Sequence, residues 1–326
     1  MQTIAHYNIL ERLGTGALGD VYRARDLKVG RTVALMMVPP GLIEPPAGPS
    51  RRDTFLAQAR AAQALNHPNI ATLFDVVEQG GQCYLAYEFA AGPSLRDEMA
   101  GRPVNLRRAI ELAAQIGDAL AEGHSRGLVH GDLRPDNVVI TPKGSPKILN
   151  FGLTAWTTSG QARAAAASTD GVGTDPYGVA GYLSPEQAVG GAIDERSDVF
   201  SLGVLLHEML TGRNPFTGPT PSATVMNVIR LTAPPPSASV PAAPPDLDAL
   251  VARALTKSVE SRAAGVLALS SELRRIGAAL DARERELDVP LRPRASQAKS
   301  GSGSLGWIVV AVTLVLLVTV WWYWAG

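Results

Sequence analysis

Apolar and polar positions alternate along Tyr7–Val38, with an interruption at a cluster of glycines. A period of two on both sides of a Gly-rich turn, followed by the β-prone run Arg31–Val38, predicts three strands over 7–38. Beyond a Pro-rich insert, Pro39–Pro49, apolar residues recur at helical spacing in the Ala- and Arg-rich stretch 51–65, which has few breakers and predicts a helix. The apolar runs 70–77 and 82–89, joined by Glu78-Gln79-Gly80-Gly81, predict a hairpin. Leu106–Ser125 is amphipathic at helical period, and the short runs Val138–Ile140 and Lys147–Leu149, bounded by Pro and Gly, predict a second hairpin with polar residues at its ends. Thr154–Gly181 shows little periodicity, and a loop of that length inside a compact domain is usually functional or mobile. Helical patterns then return at Glu195–Thr211 and around 220–231, 246–256 and 264–286, with a Pro-rich stretch over 233–245.

The pattern changes again at the end of the chain. Residues 287–304 are rich in Pro, Arg, Ser and Gly, the composition of a disordered linker. Leu305–Ala325 is almost wholly apolar and uncharged, and at ~1.5 Å per residue it reaches about 30 Å, the thickness of a bilayer core. This predicts a single membrane-spanning helix, with Trp307 at one interface and Trp321, Trp322, Tyr323 and Trp324 at the other. Arg283, Arg285, Arg292, Arg294 and Lys299 all precede it, which places the preceding domain in the cytoplasm at the inner membrane of the cell.

Composition narrows the partners. The chain of 326 residues is 46% apolar, enough for a sizeable core, and its 30 basic and 30 acidic residues cancel. A net charge of zero with no basic stripe speaks against nucleic acid as a partner. Cys83 is the only cysteine, so no intrachain disulfide forms and a reducing compartment is expected. No apolar run of signal-peptide length opens the sequence. His6, His67, His124 and His207 are scattered, in the manner of structural or surface residues rather than metal ligands.

The candidate chemistry sits in His130–Gly152, HGDLRPDNVVITPKGSPKILNFG, where Asp132, Asn137 and Asn150 flank the second predicted hairpin. This stretch resembles the catalytic loop and metal-binding turn of the protein kinases, H-R-D-L-x-x-x-N followed by D-F-G. Gly14, Gly16 and Gly19, followed by Val21, form G-x-G-x-x-G between two strands; alone that spacing is equally a plain hairpin turn, but in this order it resembles the kinase glycine loop. The resemblance covers about residues 7–280 and is closest to the bacterial branch of the serine/threonine kinases. It implies an α+β bilobal fold over 1–280, with a β-rich N-lobe at about 7–90 and a helical C-lobe at about 91–280. A juxtamembrane helix end and linker over 281–304 and the membrane helix over 305–325 would follow. It further implies ATP and Mg2+ as cofactors, Val21, Ala34 and Val139 around an adenine ring, and backbone groups of Glu88 to Ala90 at its edge. Tyr87 would limit the depth of the pocket, and His130 is similar to the family's spine histidine. Asp132 would be the base, with Arg134 in the place of a lysine and Asn137 as a metal ligand. Glu186, Asp198 and Arg262 match the family's scaffold residues.

Five positions depart from the pattern. Met36 stands where the phosphate lysine belongs, in Val33-Ala34-Leu35-Met36, and Gln58 where the resemblance puts its glutamate partner. Gly131 replaces the arginine of H-R-D, which in the family anchors a phosphorylated activation segment. Asn150 replaces the metal-chelating aspartate, leaving Asn137 and Asn150 as a weak metal pair, and Val179 replaces the threonine that helps position the base. Because catalysis of phosphoryl transfer is mostly positioning and charge, these losses predict a pseudokinase that acts by binding other proteins, active kinases or their substrates among them. Two alternatives differ in class: a residually active kinase in which Arg23 replaces the lysine, and a switch that binds ATP without turnover.

Overall fold

The computed structural model describes residues 3–16, 19–43, 50–153, 179–262, 265–288 and 304–325. Its first compact unit, Met1–Asp281, opens with a six-stranded sheet in the order β1-β2-β3-β4-β6-β5. Thr3–Ile4 is β1, Tyr7–Gly16 β2, Gly19–Asp26 β3, Thr32–Val38 β4, Leu73–Gln79 β5 and Gln82–Glu88 β6, all paired antiparallel. Alternation along β4 and β6 divides this lobe into two apolar clusters. Met36, Val38, Cys83, Leu85 and Tyr87 face the helix α2, Ser50–Gln63, through Phe55, Ala59 and Ala62, while Val33, Leu35 and Ala86 face the other way with Tyr7 and Ala24. The Pro-rich insert contains a helical turn, α1, at Pro40–Ile43, and buried Ile43 joins the α2 cluster. Gly19 has φ +125°, and a Cβ there would overlap the Met37 carbonyl, so the glycine loop is built on close backbone approach.

The second lobe packs around α6, Glu195–Thr211, whose residues from Ser197 to Leu210 are all buried. A helix buried on every side sits at the centre of a core, and its buried polar groups, Asp198 among them, must find partners there. Against it lie α4, Leu106–Ser125, and α8, Pro245–Ala254. Helices α3, Leu95–Met99, α5, Pro185–Ala188, α7, Pro221–Arg230, and α9, Val266–Asp288, complete the described helices up to residue 288. The second hairpin pairs β7, Val138–Ile140, with β8, Pro146–Ile148, one residue earlier than the pattern predicts for the second strand. Pro146 accepts from Asn69 Nδ2 at 2.7 Å, which ties that strand start in place. Most of the expected loop over Thr154–Gly181 lies outside the described residues, but its end, Val179–Tyr182, is a 3-10 turn rather than loop.

Residues Ala282–Gly326 form a separate unit. Among the described residues no helix is long and apolar enough to cross a membrane, so the span expected over 305–325 is not found there. Ser304–Ala325 is helical, α10, and its described side chains, 313–324, are exposed.

One ion pair pins the end of the activation segment to the C-lobe. Arg262, its side chain fully buried, donates to Glu186 through two nitrogens at 2.7 and 2.9 Å, and Ser197 adds a third bond at 2.6 Å. Burial works against ionising Glu186, but the bonds from Arg262 and Ser197 outweigh it and hold the carboxyl below the ordinary value of 4.5. A depressed carboxylate contributes stability that is present above 4.5 and lost as pH falls through the folded value. Glu186→Gln therefore costs about 3–5 kcal/mol at neutral pH by leaving a buried cation unpaired. The difference between variant and wild type in urea unfolding should shrink on acidification below pH 4.5; a difference independent of pH would refute the assignment.

Candidate functional site

The loop between α4 and β7 is held from beneath by α6. The Asp198 carboxylate, fully buried, accepts from the amides of His130 and Gly131 at 2.8 Å each and lies 2.7 Å from His124 Nε2. Gly131 takes φ +75°, a left-handed turn that glycine adopts without strain, and its carbonyl accepts from the Gln187 side chain at 2.7 Å. The ring of His130 lies against Leu149 O at 3.0 Å and meets Phe151 edge-on at 5.3 Å. Gly123 on α4 makes room for that phenyl ring, which a Cβ would overlap.

Three of the predicted residues converge here. Asn137 Nδ2 donates to the Asp132 carbonyl at 2.8 Å and to its carboxylate at 3.0 Å, and Arg134 approaches the same carboxylate at 3.3 Å. Burial raises the Asp132 carboxyl above the ordinary 3.8, against the opposing pull of Arg134. Asn150 sits one residue past Leu149, whose amide donates to Asn137 O, and adopts φ +60°, a conformation asparagine tolerates better than most residues. These donors do not suit Mg2+, which favours carboxylates plus phosphates: Asn137 and Asn150 offer only neutral oxygens, and Asp132 already accepts from Asn137 and Arg134. Among the described residues no group of three or more His, Cys, Asp or Glu side chains is arranged to hold a metal.

The nucleotide side is apolar. Val21 and Ala34 are half-buried, Val139 is buried, and Gly14 and Gly16 lie at the end of β2. Glu88 contributes no N–H to the cleft, since its amide donates to Thr72 O at 2.8 Å, while its carboxylate is held by Lys147 at 2.8 Å. Ala90 follows just beyond β6. Tyr87 is 5% exposed, and its hydroxyl has no hydrogen-bond partner among the described residues. Leaving such a group unsatisfied costs about 1–3 kcal/mol. Arg23, the lysine substitute of the alternative reading, stands opposite Ala34 rather than Met36, with its guanidinium 2.9 Å from Glu11 on the neighbouring strand.

Met36 is 4% exposed and packs in one cluster with Phe55, Ala59 and Leu153. Gln58, half-buried, occupies the same turn of α2. Val179 lies in the 3-10 turn that ends the activation segment, and it too is half-buried.

A second polar cluster beside Asp132 escaped sequence reasoning. Arg134 reaches Asp136 at 3.2 Å, Asp136 accepts from Arg96 Nε through both oxygens at 2.9 Å, and Arg96 also meets Tyr182 and Glu208. Tyr182 donates to Glu208, whose carboxyl burial pushes upward. The one available signal was Asp136 inside the catalytic-loop motif; Arg96 and Glu208 carry no local mark.

The neutral lysine position generates a test. Met36→Lys buries a cation with no anion at Gln58 and should cost about 3–5 kcal/mol in urea unfolding; adding Gln58→Glu should recover much of it. Equal stability of single and double variants would separate the two positions.

A model of the protein kinase domain matches residues 7–272. The serine/threonine-protein kinase PknB of Mycobacterium tuberculosis is 37% identical over 277 residues, covering 83% of this chain and 42% of that protein. A probable serine/threonine-protein kinase of Streptomyces coelicolor is 35% identical over 262 residues, 78% of this chain and 37% of its own length. Pkn3 of Myxococcus xanthus, also a serine/threonine-protein kinase, is 31% identical over 306 residues, 91% of this chain and 54% of its own. The chain thus spans only part of the length of the curated relatives it matches. The crystal structure of the M. tuberculosis PknI kinase domain shares the fold, with a TM-score of 0.65, 24% identity, and coverage of 84% of this chain and 98% of that one. A sheet-built lobe, a helical lobe centred on α6 and a catalytic loop braced by Asp198 agree with these likenesses: the chain belongs to the protein kinase family and is homologous to its bacterial serine/threonine members.

Proposed function

We propose that this chain is a pseudokinase: a kinase-fold protein that no longer transfers phosphate at a useful rate and acts by binding other proteins, active kinases or their substrates, from the cytoplasmic face of the membrane. The observation that carries the reading is Met36, buried in an apolar cluster where the family places its phosphate-contacting lysine. Loss of one electrostatic donor at a reacting centre costs on the order of 10²–10³ in rate. Asn150 adds a second loss at the metal, and the two need not multiply.

The surviving base favours one competing reading. Asp132, Asn137 and Arg134 keep their mutual bonds, and a residual kinase would need that arrangement. The tether is α10, Ser304–Ala325, which carries no Asp, Glu, Lys or Arg and follows a basic stretch.

Incubation of the purified chain with labelled ATP, Mg2+ and a generic protein acceptor should give no incorporation above that of Asp132→Asn. Incorporation abolished by Asp132→Asn would establish a working kinase instead. In cell fractionation the full chain should sediment with inner membranes and a chain ending at residue 288 should not; equal partition of both would remove the tether.

A further inference from the structure

The Pro-rich stretch after α7 has a repeat in its burial that neither the core nor the catalytic loop requires. Leu231 and Thr232 are exposed, Ala233 is half-buried against the C-lobe core, Pro234 and Pro235 are exposed, and Pro236 is buried. A period of three belongs to a polyproline II helix, which turns once every three residues and makes no internal hydrogen bonds. The backbone agrees. Leu231 has φ −78° and ψ 129°, Pro235 has φ −65° and ψ 141°, and Ala233 and Pro234 each precede a proline, which favours the same extended region. One edge of the strip, Ala233 with Pro236, therefore lies on the protein. The other two, Leu231 with Pro234 and Thr232 with Pro235, face solvent, and among the described residues nothing donates to the carbonyls of Leu231, Thr232 or Ala233.

The strip is held at three points. The Leu231 amide donates to Asn227 O at 2.8 Å, the Pro234 carbonyl lies 3.1 Å from Nε2 of buried His207, and the Ser237 amide donates to the Asp248 carboxylate at 3.0 Å. A segment fixed in this way has already lost the conformational freedom that a loose proline run gives up on binding. Its flanking charge is of one sign. Arg230 precedes the strip, and the same His207 ring sets Arg213 beside Pro234, with Nδ1 3.4 Å from Arg213 O. Both arginines are exposed, and neither forms an ion pair among the described residues.

We propose that Leu231–Pro235 is a docking ligand for a partner protein that takes polyproline II segments in a groove of aromatic side chains bordered by acidic residues. Rings of the groove would pack on the two exposed edges, donors beside them would reach the open carbonyls, and the acidic border would meet Arg213 and Arg230. The inference goes beyond the non-catalytic reading, since it holds whether or not the chain transfers phosphate.

The probes are two purified domains of that kind, an SH3 domain and a WW domain, each chosen with acidic residues beside its aromatic groove and titrated calorimetrically into the purified full-length chain. At least one should bind with a Kd below about 1 mM. Leu231→Ala with Pro235→Ala, one change on each exposed edge, should weaken that binding about tenfold or more, and so should the charge reversal Arg213→Glu with Arg230→Glu. Unliganded melting temperatures show that both double variants fold, and Val29→Ala, at an exposed apolar residue of the sheet lobe, should bind as the wild type does. Binding by neither domain, wild-type affinity in either double variant, or loss of binding in Val29→Ala would each overturn the proposal. So would a dimer of the chain, seen by sedimentation, that Leu231→Ala with Pro235→Ala abolishes, because a second copy would then be the occupant. Phosphate transfer from labelled ATP would sink the pseudokinase reading and leave this surface standing, and absence of domain binding would do the reverse.

Discussion

The structure of the site hangs on a carboxylate buried beneath it. Asp198, carried by the central helix of the C-lobe, accepts from two consecutive amides of the catalytic loop, and its oxygen is also beside His124. Those amides have turned inward, away from solvent, and a buried N–H without an acceptor is expensive. The loop is thereby committed to one course. Gly131 takes the left-handed turn, the Asp132 amide meets His130 Nδ1 at 3.2 Å, and the Asp132 side chain is delivered to Asn137 and Arg134. The helix is buried on every side, so the carboxylate has no freedom to leave.

The pattern of retained and lost charge follows one physical rule. Where a buried charge survives, its partner survives with it, as in Arg262 with Glu186 and Arg134 with Asp132. Where one is gone, the matching position is also neutral, as at Met36 and Gln58. A lone buried ion is the arrangement a folded domain tolerates least, whereas replacement of both partners by neutral groups is often harmless. A frame held by paired buried charges is therefore compatible with neutral residues at Met36 and Gln58: the charges that hold the C-lobe stand as pairs.

The interlobe connection shows the same economy of polar groups. Ala71 donates to Ile148 O and Ile148 to Asn69 O, so backbone from the approach to β5 is stitched to β8 directly beneath the cleft. Lys147 of β8 then reaches Glu88 at the end of β6. The cleft floor and its hinge side are joined by bonds that do not depend on a ligand.

Much of this was legible in the chain. Helix Leu106–Ser125 follows from its own period, begins at the Asn105 cap and has the bounds its pattern predicts. The strands around the glycine loop, the α2 stretch and the exchange of Lys for Met36, Asp for Asn150 and Arg for Gly131 are all local, and local spacing is what a sequence displays. Its limits were equally physical. Arg96 meets Asp136 from 40 residues away and Tyr182 from 86, Lys147 meets Glu88 from 59, and neither the turn at Pro40–Ile43 nor the 3-10 turn at Val179–Tyr182 has a periodic mark. By itself the sequence determined most of the elements, their order and the neutral residues at Met36, Gln58, Gly131 and Asn150, because hydrophobic period and residue identity act over a few residues. Only the tertiary structure decided which polar groups pair, how Asp132 is held, and that the Tyr87 hydroxyl is buried with no partner among the described residues, because those outcomes depend on which distant segments are packed together.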